Sequence, residues 1–487
     1  MILPKLSWQN PKTVFAFSSL MFLGLFYFFL NKYYFHYDDA FITYTYARNL
    51  AAGHGIVFYP FAQPVQGSST LLYTILLATL SRISTIQLDI LGILINVVLF
   101  VALQGISILL INYIIGKNNA SWQLNTLLFT FQTPLLFSLG LETTLMCCLL
   151  MASIFFLLKQ KPIYLSAVLV LIPLTRLDYL FFFPVIGLCV FVFWDKHIWT
   201  MMKIFGPSLI TTLIYLVFSK IYFDEWMPHS WMAKNLVPWS EVSGTMSWFD
   251  YFIKYPESLC YIFLISLSIG WSALRYKHQK SSAVSNRGIF VCILYFLWSL
   301  AYTFVLMYKK APDMPWYYVS SIYSGYFLIC ILMMRWEVEG IRKAANVLFM
   351  TTIALNLIMG VNISKDFEHG LVDKRGHSDR REIVGRLLER AIPDIKNKTL
   401  LVFEAGKIPY YSGAKCIDLL GLVSNESIDG LKKGNTSITL MKTVPDLIAG
   451  VNNPSYFPMK FIQTPFFKEN YRELYKVDDY SVWGKVD

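Results

Sequence analysis

The chain has 487 residues, 55% of them hydrophobic and 15% charged, with 42 Lys/Arg against 31 Asp/Glu. Soluble domains carry about 25% charged residues, so this composition excludes a soluble globular protein and describes a polytopic membrane protein. The net charge of +11 does not indicate nucleic acid, because no basic stripe is present and most of the excess lies in short loops, where it faces anionic lipid.

Uninterrupted apolar stretches of spanning length, about 17–25 residues, occur at 13–32, 88–115, 141–158, 203–223, 257–275, 288–308, 316–335 and 344–363, with shorter or broken ones at 69–84, 124–139 and 163–194. The first lacks a small-residue cleavage site and is expected to be a retained span. The 69–84 stretch is too short to cross and reads as re-entrant or interfacial. Residues 163–194 fit a hairpin of two short helices with Arg176 and Asp178 near its middle, which leaves about eleven spans. Lys5 and Lys12, Lys159 and Lys161, Arg275 to Arg287, and Arg335 to Lys343 read as cytoplasmic. The first loop (33–68), the 222–256 loop, the 309–315 loop and the tail then lie outside. The chain divides into a membrane part, 1–363, and a tail, 364–487, that holds 19 Lys/Arg and 17 Asp/Glu, about half of all charges. In the tail, Glu382 to Ile392 has helical spacing up to Pro393. Thr399 to Phe403 and Cys416 to Leu420 read as short buried strands, so the tail is a small extramembrane α/β domain. Its single cysteine, Cys416, excludes a disulfide within it, and no Cys/His spacing suits zinc. No internal repeat of the transporter kind is evident.

Chemistry-bearing residues fall in the outside loops. Asp38 and Asp39 follow the first apolar stretch, and Phe41, Tyr44 and Arg48 recur at helical spacing, so 38–50 is expected to be a surface helix in the membrane interface. It ends at Gly53-His54-Gly55. One aspartate can cap that helix while the other faces a substrate, since adjacent side chains diverge. Glu142, at the mouth of an apolar helix, sits where charge costs about 2.5–3.5 kcal/mol at mid-membrane and is functional by default; a favourable helix start is the structural alternative. Arg176 and Asp178 are two apart and cannot share a helix face. Arg176 is the better functional candidate, because a guanidinium grips phosphate oxygens, with a structural ion pair to another helix as the competing account. In the loop Tyr222 to Lys234, aromatic belts explain the tryptophans but not His229 and Lys234, which could hold an anionic headgroup. Trp316-Tyr317-Tyr318 reads as interface anchoring.

Several of these segments resemble a known family. Tyr37-Asp38-Asp39-Ala40-Phe41-Ile42 through Ala47-Arg48-Asn49-Leu50, Gly53-His54-Gly55, Gly67-Ser68-Ser69, Gly140-Leu141-Glu142-Thr143, Leu174-Thr175-Arg176 and Met227-Pro228-His229 to Ala233-Lys234 occur in that order. Together with Glu404 to Gly413 and Ile417 to Leu422 they resemble the bacterial GT-C membrane glycosyltransferases related to the mycobacterial terminal arabinofuranosyltransferase. Leu177-Asp178 and His229 depart from the family pattern and leave the donor sugar open. The resemblance implies a polyprenyl-phosphate-linked sugar donor, an envelope glycan or lipid acceptor, a bacterial inner-membrane location and a periplasmic site and tail. Such a transfer needs a base for the acceptor hydroxyl and cations for the departing phosphate. Asp39, slightly ahead of Asp38, is the expected base; Arg48, Glu142, Arg176, His229 and Lys234 are the expected substrate and phosphate contacts. Asp38 and Asp39 could instead hold a divalent cation. A transporter or lipid flippase with Glu142, Arg176 and Asp178 lining its path, or a lipid-binding scaffold, is the alternative.

Overall fold

The computed structural model describes residues 37–115, 138–194, 198–242, 247, 283–310, 314–334 and 379–486. The stretches 13–32, 257–275 and 344–363, and most of 124–139, lie outside these. Helices α1 (Asp38–Ala51), α2 (Leu71–Ile83) and α3 (Leu88–Ile115) are followed by α4 (Thr143–Leu158), α5 (Pro162–Thr175), α6 (Phe183–Phe193) and α7 (Ile198–Phe223). Then come α8 (His229–Leu236), α9 (Ala283–Tyr308) and α10 (Val319–Met334). Among the described residues three helices are long and apolar enough to cross a membrane: α3, α7 and residues 286–308 of α9. Leu209, Ile210, Leu213 and Ile214 of α7 are exposed, as a surface bathed in lipid requires. Helices α4 and α10 have 16 residues each, about 24 Å at 1.5 Å per residue against a hydrocarbon core of about 30 Å. The span count of about eleven therefore rests largely on segments outside the described residues. At 13 residues α2 is too short to cross, and the expected hairpin over 163–194 is present as α5, a 3-10 turn (Leu177–Phe182) and α6.

The tail begins with α11 (Arg380–Ala391), whose N-cap Asp379 accepts the Arg381 amide and whose last residue precedes an extended Ile392 before Pro393. A five-stranded sheet follows in the order β2-β1-β3-β5-β4. Here β1 (Thr399–Val402) lies parallel between β2 (Lys415–Asp418) and β3 (Leu447–Val451), while β4 (Tyr471–Val477) and β5 (Tyr480–Lys485) form an antiparallel hairpin on the β3 side. A short helix, α12 (Lys407–Ser412), links β1 to β2. The second expected strand ends at Asp418 rather than Leu420. There the carboxylate turns back to accept the amides of Leu420 and Leu422, at 2.9 and 2.6 Å, and bends the chain into a loop.

Helix α1 corrects the expectation of an interfacial surface helix: Ala40 to Ala47 and Asn49 are all buried. Phe41 and Tyr44 join the membrane-part core, whereas Ile42 and Tyr46 join a second cluster with Leu400, Val402, Cys416 and Val423 of the tail. Both faces are covered because the tail docks on the side opposite the membrane helices. The spacing that signals a helix is the same in either setting, so it could not tell one-sided from two-sided burial. The helix stops at Gly53 and Gly55, both left-handed (φ 85° and 89°). At Gly55 a Cβ would meet the Tyr222 hydroxyl, which accepts the Ile56 amide at 3.0 Å.

Candidate active site

Asp38 and Asp39 begin α1, about 100° apart around its axis. Neither caps α1, whose N-cap Tyr37 has no side-chain capping bond. Asp38 turns to the tail, where it accepts the amides of Gly406 (3.0 Å) and Lys407 (2.8 Å) at the start of α12. A Cβ at Gly406 would run into the Asp38 backbone oxygen and carboxylate, so only glycine permits this approach. The anchor is braced by Lys407, whose ammonium meets Asp379 at 2.6 Å, and by Arg381 with Glu404 at 2.6 Å. Gly406→Ala is expected to destabilise tail docking by about 1–3 kcal/mol, the usual cost of overpacking. Limited proteolysis of membranes checks this, and an unchanged cleavage rate in the tail would contradict it.

Asp39 points the other way, into a small, partly open cavity that it lines with Thr43, Glu142, Arg176 and Lys234. Burial raises the Asp39 pKa above its ordinary value and the Asp38 charge adds to this, with Lys234 pulling the other way. Lys234 donates to the Tyr317 hydroxyl at 3.0 Å. Burial disfavours its charge, but Tyr317 and Asp39 outweigh that and hold its pKa above the ordinary value. Ser230 and Lys234 lie four apart on α8 and so share its cavity face.

Glu142 is the N-cap residue of α4, after a left-handed Gly140 whose carbonyl accepts the Tyr44 hydroxyl at 3.3 Å. Its carboxylate meets Arg176 at 3.2 Å. Arg176 and Asp178 do pair, against expectation, through a two-pronged contact: Nε to Oδ1 at 3.1 Å and Nη2 to Oδ2 at 2.9 Å. The reason is local. Helix α5 ends at Thr175, and Arg176 is extended (φ −152°, ψ 118°) as the N-cap of the 3-10 turn that holds Asp178, so the two side chains are not set by the spacing of one continuous helix. The Tyr302 hydroxyl also donates to Asp178. Arg176 is thus an ion-pair hub that also lines the cavity.

Two expected contacts lie elsewhere. Arg48 donates to the Tyr410 carbonyl at 2.8 Å and stacks over that ring at 4.7 Å, which ties α1 to the tail instead of reaching the cavity. His229 is 1% exposed, holds Glu225 at 2.7 Å through Nδ1, and is absent from the cavity wall, because α8 turns it toward the tail. Conversely, Trp316 and Tyr317, expected as interface anchors, are buried and line the cavity. Thr43, Ser68, Ser69 and Thr70 also line it, as does Leu422 from the tail. Their sequence signals were the Gly67-Ser68-Ser69 motif and, for Leu422, the Ile417 to Leu422 segment. Asp38 is turned to the tail amides and Asp39 to the cavity, so the two carboxylates are not set side by side. Among the described residues no group of three or more His, Cys, Asp or Glu side chains is arranged to hold a metal.

Comparison with known proteins bears on the fold. A family described as "Domain of unknown function (DUF8728)" matches residues 373–485. No curated protein matches the sequence. Among solved structures, ArnT from Cupriavidus metallidurans bound to undecaprenyl phosphate is similar over 97% of this chain and 98% of its own, with TM-score 0.57 and 10% identity. The archaeal oligosaccharyltransferase AglB from Archaeoglobus fulgidus, in complex with an inhibitory peptide and a dolichol-phosphate, is similar over 98% of this chain and 74% of its own, with TM-score 0.54 and 10% identity. At that identity the likeness speaks for the fold. The chain is a helix-rich membrane protein with a small C-terminal sheet domain, and it has the fold of these two proteins over nearly its whole length.

Proposed function

We propose that this protein is an integral-membrane glycosyltransferase of the GT-C type, akin to the terminal arabinofuranosyltransferase group, which moves a sugar from a polyprenyl-phosphate donor to an envelope glycan or lipid. The observation that carries the reading is one cavity in which a carboxylate, Asp39, meets two cations, Lys234 and Arg176, drawn from segments far apart in the chain. The lipid phosphates bound by both solved neighbours support a polyprenyl-phosphate donor.

In the proposed step the acceptor hydroxyl oxygen attacks the anomeric carbon and its proton passes to the Asp39 carboxylate. The bond from the anomeric carbon to the phosphate oxygen breaks, and its electron pair leaves on polyprenyl phosphate. Among the described residues, Lys234, with one N–H on Tyr317, keeps two donors for that phosphate, and Arg176 keeps the two of its five that Glu142 and Asp178 do not take. Glu142 and Asp178 act as positioning residues that aim the guanidinium.

The test is reconstitution of the full chain with labelled polyprenyl-phosphate sugars and envelope extracts. Sugar transfer to a glycan or lipid is expected; lipid movement across the bilayer with no transfer would favour a flippase. The site and tail are assigned to the periplasmic side of the inner membrane. A reporter joined after Asp487 is accordingly expected to be active only outside the cytoplasm, and a cytoplasmic signal would overturn the orientation.

A further inference from the structure

We infer that the wall formed by Thr43, Ser68 and Thr70 is a subsite for the hydroxyl-bearing sugar ring of the donor, separate from the cationic wall that takes its phosphate. This rests on the donor-lipid reading above and adds to it the group that each wall recognises.

The argument follows hydroxyl protons. Each Ser or Thr hydroxyl has one proton to donate and two lone pairs to accept with. Thr74 donates its proton to the Thr70 carbonyl at 2.8 Å. Toward Ser68, at 3.2 Å, Thr74 can then only accept, so Ser68 is the donor. Ser68 in turn can only accept from Thr43, at 3.3 Å. Thr43 therefore ends a one-way chain and offers the cavity lone pairs alone.

Thr70 is the second independent feature. It occupies the N-cap position of α2, where a threonine hydroxyl usually accepts a free helix amide, yet it makes no capping bond. It is 3% exposed, it lines the cavity, and its hydroxyl has no partner among the described residues. A buried hydroxyl left unpaired is unfavourable, and a ligand that pairs it removes that penalty. Thr43 thus offers the cavity acceptor sites, and Thr70 adds an unpaired hydroxyl buried in the same wall.

An ionised phosphate accepts only, so it would meet the Thr43 lone pairs unfavourably. A sugar hydroxyl donates and accepts, which matches both residues. The cations lining the cavity, Arg176 and Lys234, have N–H groups that are unpaired among the described residues and donate only, which suits phosphate oxygens. Thr43 lies one turn from Asp39 on α1, so a ring held there has its reacting carbon near the base.

The test compares binding of two probes to the full chain in nanodiscs: undecaprenyl phosphate, and undecaprenyl phosphate carrying each of a panel of pentoses and hexoses. Wild type is expected to bind at least one sugar-bearing lipid more tightly than the bare lipid. Thr70→Val should weaken that lipid about tenfold and leave the bare lipid within about twofold, while Thr70→Ser, which keeps the hydroxyl, retains the difference. Equal weakening of both lipids, or of neither, overturns the subsite. Loss of binding to a free envelope glycan, with both lipids unaffected, would give the wall to the acceptor and overturn it as well. If wild type binds the bare lipid but gains nothing from any sugar, the subsite falls and the donor-lipid reading stands. If it binds neither lipid, the donor-lipid reading falls first.

Discussion

Asp39→Asn is expected to lower sugar transfer by about 10²–10⁴-fold, the range for loss of a general base, with the protein still folded. The amide has nearly the carboxylate's shape but cannot take the acceptor's proton. Folding should survive because burial raises the Asp39 pKa. A group raised in the folded state contributes stability that is present below its unfolded pKa and lost as pH rises through the folded value. At neutral pH the ionised carboxylate is therefore not what holds the fold together. The same shift sets the pH profile. The basic form of Asp39 appears only above the ordinary aspartate value of about 3.9, so transfer should rise with pH through a limb displaced upward from that value. In Asp39→Asn that limb should vanish. An Asn variant with wild-type turnover would remove Asp39 from the chemistry.

Arg176→Met is expected to cost about 3–5 kcal/mol of stability, the usual result of removing one partner from a buried ion pair, and to abolish transfer. It leaves Glu142 and Asp178 facing each other without the guanidinium that binds both. Arg176→Lys should be intermediate, because one ammonium cannot reproduce a two-pronged contact with Asp178 and a third bond to Glu142. The triple change Arg176→Met, Glu142→Gln, Asp178→Asn separates stability from chemistry. It removes all three charges and should recover most of the thermal midpoint without recovering transfer. Transfer regained along with stability would confine Arg176 to a structural role.

Much of the architecture could be read from the residue order alone. Apolar runs of the right length, the Pro393 stop and the buried strand at Thr399 are properties of short windows, in which each residue's surroundings are mainly its sequence neighbours. The break at Arg176 was half visible: the apolar run was too long for one short helix and carried charge at its middle. That the backbone is extended there, so that Arg176 reaches Asp178, was not visible, because i and i+2 oppose each other in the helix the pattern implied.

The site divides along the same line. By itself the sequence determined a membrane protein with a charged tail, two carboxylates opening a helix at 38, and isolated charges at Glu142, Arg176 and Lys234 that an apolar setting makes costly unless used. Only the tertiary structure decided which aspartate faces the cavity, because that choice is made by the amides of Gly406 and Lys407, more than 360 residues away along the chain. It also sent Arg48 to Tyr410, turned His229 toward the tail, and brought Trp316 and Tyr317 to the cavity wall. Residue type and spacing specify what a side chain can do. Which partner it meets depends on how distant segments pack, and on a buried helix with two covered faces a rotation of about 100° separates an anchor from a candidate base.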